Sequence, residues 1–139
     1  MKVPGLRRDD EMVAGLVFFG RMLDKIRLKA AGRLPPGYFT GTADRTRFDA
    51  RCCTFLRVPY EKLVARVLQG GTDKEVLQWC YRNHYKPSLD EIEIWNGFMT
   101  KRGWRDSGSA ELEAAKSECG FKDRPDIQTW FDLHQAEET

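Results

Sequence analysis

Arg21, Asp24, Lys25 and Arg27 fall within seven positions of one another, and their types and spacing invite a chemical reading. On a helix Asp24 comes within reach of Arg21 or Arg27, and an exposed pair of that kind contributes only about 0.2–0.5 kcal/mol. If the group is partly buried, its excess positive charge instead favours a carboxylate or phosphate ligand, which an arginine fork can grip with two parallel hydrogen bonds. Structural pairing is the simpler reading of the two. Arg51 and Tyr38 extend the candidate ligand-binding set, making it Arg21, Asp24, Lys25, Arg27, Tyr38 and Arg51. The candidates for acid–base work are Asp24, Tyr38 and Asp49.

Other residue types offer less. His84 lies in the polar turn NHYKPS, and His134 falls on the apolar stripe of the last helix, where a packed, hydrogen-bonded histidine is expected more than a base or ligand. Cys52, Cys53, Cys80 and Cys119 form no CxxC pair, so no metal site and no cofactor are expected. Reduced thiols point to a cytoplasmic protein. Residues 59–83 resemble the entry to a helix-turn-helix, but the next helix would present Asp90, Glu91 and Glu93 to a polyanion. Arg33, Arg45, Arg47, Arg51 and Arg57 around Tyr38 and Phe39 could hold RNA weakly. Against that stands a sequence pI of about 8.4, below what a dedicated binder shows. Nucleic acid is therefore not an expected partner.

The elements that must position these residues read as helices throughout. Met12, Leu16, Phe19, Leu23, Ile26 and Ala30 recur at steps of three and four, predicting one long buried helix from about Asp10 to Ala31, capped by Gly32. Gly15 and Gly20 inside it suggest close helix–helix contact. Residues 33–47 form a long connection of the kind that is often functional. A short helix with Asp49 as N-cap follows, then one after Pro59. Thr72–Glu75 and Ser88–Glu91 are capping boxes, each opening another helix. Gly103 before Trp104 and Gly120 before Phe121 are stops at which the aromatic should pack back on the last turn. Glu111–Cys119 makes a polar surface helix, and a final one begins near Pro125. No alternating segment is evident. The expectation is an all-α bundle of about six or seven helices around the long N-terminal one, in a single domain spanning 1–139.

Bulk properties agree with a globular domain that carries no membrane span or secretory signal. The net charge of +2 hides an asymmetry: residues 1–69 carry +7 and residues 70–139 carry −5. Either the halves attract one another within the fold, the simpler reading, or the basic half forms an anion-binding face.

The stretches VPGLR, GRMLDKIRLKAAG, RCCTFL, YEKLVARVL, EIEIWNGFMTKRGWRD and DIQTWFDL together resemble a bacterial family catalogued as domain of unknown function 5069. The resemblance covers nearly the whole chain and implies a free-standing bacterial domain of this length. It carries over no activity, cofactor or active-site residue. The leading expectation is a small cytoplasmic module that recognises an anionic small molecule or a protein partner. An enzyme with a site assembled only in the fold is the alternative, and a weak RNA binder the third.

Overall fold

The chain forms β1 (Met12–Val13), β2 (Leu16–Val17), α1 (Phe19–Ala30), α2 (Phe48–Leu56), α3 (Tyr60–Leu68), α4 (Asp73–Asn83), α5 (Leu89–Lys101), α6 (Ser109–Glu118) and α7 (Trp130–Glu137). Residues 1–139 are described by a computed structural model, and about half of them are helical. The all-α class and the helix count follow the sequence pattern.

The start of the chain departs from it. The expected long helix is a hairpin followed by a shorter helix, with Met12 paired to Val17 and Val13 to Leu16. Ala14 (φ 46°) and Gly15 (φ 84°) make the tight turn, and two left-handed residues are what a two-residue hairpin loop requires. The step of four from Met12 to Leu16 imitates a helical stripe, yet Met12 is 59% exposed while Leu16 is sealed. Helix α5 takes over the backbone groups that a helix would have satisfied internally. The Asn96 amide donates to Gly15 O (2.8 Å) and accepts from Val17 N (3.1 Å), and Trp95 Nε1 donates to Val17 O (3.2 Å).

Phe18 turns the chain from the hairpin into α1 with φ 71°. A left-handed backbone costs a bulky residue roughly 1–2 kcal/mol, so the surroundings must impose it. Its N–H donates to Asp9 O (2.8 Å), and its ring is buried edge-on against Phe48 at 5.5 Å. Gly20 is also explained differently from the sequence reading. A Cβ there would lie 2.8 Å from Arg7 Cζ, so the close neighbour is a side chain of the N-terminal segment rather than another helix.

Both expected capping boxes form, and a third, Thr129 with Asp132, opens α7 at Trp130 rather than near Pro125. Arg47, not Asp49, occupies the N-cap of α2, which leaves Asp49 inside the first turn and buried. Phe121 closes the end of α6 as expected, its N–H donating to Lys116 O (2.8 Å). Trp104, whose N–H donates to Lys101 O at 2.9 Å, is 46% exposed. Gly103 serves instead to let chains meet closely, since a Cβ there would lie 2.9 Å from Leu112 Cδ2 and 3.1 Å from Trp130 Cδ1.

The main core joins the hairpin, α1 to α5 and Phe131 of α7. A smaller cluster of Leu112, Ile127 and Leu133 ties α6 to α7. The candidate site lies at the seam between these two cores. No helix is long and apolar enough to cross a membrane.

Candidate functional site

The charges of α1 divide between two flanks. On one flank Asp24 accepts three hydrogen bonds from Arg7, through its backbone N–H (2.9 Å), Nε (2.8 Å) and Nη2 (2.9 Å). Arg27 Nη2 donates to Asp73 at 2.7 Å, and Arg7 also pairs with Asp73. Hydrogen bonds from Asp24 and Asp73 hold the Arg7 guanidinium more basic than usual despite its partial burial. Burial pushes Asp73 upward, but the Arg27 and Arg7 hydrogen bonds outweigh it and keep the carboxyl below its ordinary range. The expected Asp24–Arg27 approach is present at 3.8 Å, secondary to Arg7.

On the other flank Arg21 and Lys25 face a cavity of about 270 Å³. Arg21 forks onto Glu138 with Nη1 at 2.8 Å and Nη2 at 2.7 Å, so its partner is not Asp24. Burial disfavours the Arg21 charge, yet the Glu138 hydrogen bonds and the nearby Asp9 more than compensate and raise its pKa. Tyr38 donates to Glu138 Oε2 at 3.0 Å, and burial together with that carboxylate pushes its phenol up to about 12. Lys25 Nζ lies 2.8 Å from Asp49 Oδ1 and donates to Phe39 O at 2.8 Å. Burial raises the Asp49 pKa, with Lys25 and the Gly41 N–H offsetting only part of the cost.

A third pair completes this wall. His134 Nδ1 lies 2.8 Å from Asp9 Oδ2, and Asp9 is completely buried. Arg21 Nε is 3.5 Å from the same oxygen, while Asp9 Oδ1 is sealed and has no partner. The imidazole is fixed between Phe48 (centroids 6.2 Å) and Trp130 (6.1 Å). Its other nitrogen, Nε2, makes no hydrogen bond within the protein, and the side chain is 27% exposed.

Toward the mouth the charge is arginine. Arg47 and Arg102 line the cavity, and Arg47 packs its guanidinium 3.5 Å above the Phe39 ring. Arg47 Nε is buried without a hydrogen bond, with Asp44 Oδ2 at 3.5 Å its carboxylate neighbour. Arg51 and Arg102 flank Phe98 at 5.3 and 5.4 Å. Burial, then repulsion from Arg102 and Arg45, lowers the Arg51 pKa, and Arg102 Nη1 has Asp106 Oδ2 as its carboxylate neighbour at 3.4 Å.

A family model described as a domain of unknown function (DUF5069) matches residues 3–139. The chain belongs to that family. No curated protein matches it.

In this DUF5069 member the fold brings Arg21, Lys25, Tyr38 and Asp49 to one cavity. Asp24 and Arg27 point to the opposite flank, and Arg51 lies beside the mouth, where its Nε donates to Thr46 O at 3.2 Å. No three His, Cys, Asp or Glu side chains gather as metal ligands. Sequence reasoning missed Asp9, Glu138 and Arg102 as site residues, and named Arg47 only among the arginines that could hold RNA. Asp9 is hidden in the acidic run Asp9-Asp10-Glu11, which reads as solvated surface. The available signal was the Trp130–His134 spacing of four on a capped helix, which sets an aromatic beside an imidazole.

Proposed function

We propose that this domain binds a small organic anion in the cavity between α1, α2, α6 and α7. One observation carries the reading: four cationic side chains, Arg21, Lys25, Arg47 and Arg102, reach one cavity, and the two at its mouth meet their carboxylate neighbours, Asp44 and Asp106, only at 3.5 and 3.4 Å. The inner pair is tightly engaged by Glu138 and Asp49 at 2.7–2.8 Å, so Arg47 and Arg102, held more loosely by Asp44 and Asp106, are the groups placed to meet a carboxylate or phosphate. Phe18, Phe48 and Trp130 supply an apolar wall for the remainder of the ligand. The volume lies near the lower end of the ~300–1,000 Å³ usual for ligand pockets, which suits a metabolite better than a polymer. Nucleic acid is disfavoured because Arg47 already covers the face of Phe39 and two arginines flank Phe98. Those faces are what single-stranded bases would stack on. The reading includes a cytoplasmic setting, which the four unpaired cysteines favour.

Native mass spectrometry of freshly purified protein should show a co-purifying anion. A panel of organic carboxylates and phosphates should raise the melting temperature of the wild type, since a ligand at a hundred times its Kd adds about 2.7 kcal/mol. Arg47→Ala should weaken that response at least tenfold in ligand concentration. Equal responses in the two proteins would defeat the assignment.

A further inference from the structure

We propose that the cavity is an acid–base catalytic site in which His134 Nε2 removes a proton from carbon beside a carbonyl in the bound anion and then returns it. This rests on the reading of the cavity as an anion site.

The argument begins with Asp9. A carboxylate placed wholly out of solvent, with one oxygen lacking any partner, is costly. Asp9 helps to hold the buried Arg21 charge, yet that leaves the sealed Oδ1 without a partner. Its other oxygen faces His134 Nδ1 at 2.8 Å. A carboxylate can only accept, so Nδ1 carries the proton, and in the neutral imidazole Nε2 then presents a lone pair. Phe48 and Trp130 fix the plane of the ring, and the left-handed turn at Phe18 is tied to the backbone of Asp9 itself. Strain and an unsatisfied buried group thus meet at one histidine in a cavity, a combination that clusters at catalytic centres.

The lining also narrows the reaction. No serine or cysteine reaches the cavity, and the Thr46 hydroxyl is engaged by Asp44 Oδ1 at 2.6 Å. The Tyr38 hydroxyl is held by Glu138 and the Lys25 amine by Asp49 and Phe39 O, so the imidazole acts on the ligand directly. Its Nε2 lone pair takes the proton. The C–H electron pair becomes the enolate double bond, and the carbonyl oxygen gains the negative charge. The cations of the cavity stabilise that oxygen. Return of the proton to the same carbon gives exchange; return to the former carbonyl carbon, with the proton of the adjacent hydroxyl passing to the former carbonyl oxygen, gives an isomer. Neither needs an oxidant or second reactant. His134 is the catalytic residue, and Asp9 is a positioning residue that fixes its tautomer.

The test uses the full chain in D₂O with 2-oxo acids and with aldose and ketose phosphates, following loss of the proton next to the carbonyl by NMR. Wild type should incorporate deuterium. His134→Gln should lose about 10²–10⁴-fold in rate while still binding the compound, and His84→Gln, altered outside the cavity, should match wild type. Asp9→Asn should slow exchange and mix the imidazole tautomers, read from the histidine ¹⁵N shifts. The wild-type spectrum alone must show Nδ1 protonated and Nε2 bare, and the opposite tautomer overturns the assignment. A compound held through Arg47 that exchanges no faster than with His134→Gln overturns the catalytic inference and leaves the binding reading intact. If no compound binds, the binding reading fails and takes this inference with it.

Discussion

The two flanks of α1 carry charges of the same kinds, yet they are finished differently. Around Asp24 and Arg27 the guanidinium groups of Arg7 and Arg27 meet the carboxylates of Asp24 and Asp73, and the group closes on itself. Around Arg21 and Lys25 the partners, Glu138 and Asp49, come from distant elements, and a cavity remains between them. One flank spends its charge on holding the N-terminal segment against α1 and α4. The other keeps an unpaired carboxylate oxygen, an open imidazole nitrogen and crowded arginines. The lesson is that helical spacing identifies which charges can meet, while burial and the space left beside the pair decide whether they form a brace or a candidate site.

The largest effect should come from breaking the closed flank. Asp24→Ala removes three of the hydrogen bonds that Arg7 donates and leaves it Asp73 and Gly20 O, and removing one partner of a buried pair costs about 3–5 kcal/mol. Arg7 is 31% exposed, so the low end, roughly 3 kcal/mol, is expected in urea unfolding. A cost below about 1 kcal/mol would show that the group is not a brace.

Glu138→Gln on the open flank should cost less, roughly 1–2 kcal/mol, because Arg21 retains Asp9. It should also bring the Tyr38 phenol down from about 12, because a neutral amide no longer opposes ionisation. Ultraviolet titration reads this directly, and an unmoved tyrosine would show that the Tyr38–Glu138 hydrogen bond is not formed in solution.

The smallest effect separates the flanks by sign. Asp73 has a depressed folded pKa, so its contribution is present above the ordinary value of 3.8 and fades as pH falls through the lower folded value. Asp49 has a raised folded pKa, so its contribution is full below 3.8 and is lost as pH rises through the folded value. On acidification the stability of wild type relative to Asp73→Asn should fall, and relative to Asp49→Asn it should rise, each by about 1 kcal/mol or less. Slopes of the same sign in urea unfolding across pH 3 to 7 would erase the distinction.

Much of this fold was legible because helix ends are written locally. Thr72, Ser88, Gly103 and Gly120 mark boundaries within a few residues of the information that sets them. The hairpin was not legible, since Asn96 and Trp95 hold it from about eighty positions away and its spacing counterfeits a helix. For the site, Arg21 and Lys25 stood out as charges that follow an apolar run. Asp9 and Glu138 did not, because nothing beside either residue in the sequence announces burial or a distant cation. The +7 and −5 halves do meet across the fold, through Arg21–Glu138, Arg27–Asp73 and Arg7–Asp73.

Asp9 and His134 are separated by 125 positions, and Arg21 and Glu138 by 117. Contacts that close such long loops form only after much chain entropy has been lost. The helices can therefore assemble around α1 before the histidine acquires its orienting carboxylate. A nearly folded molecule with α7 undocked would keep most of its core and have no functional pair. Local opening of that one helix, far below the free energy of global unfolding, is then enough to switch the site off.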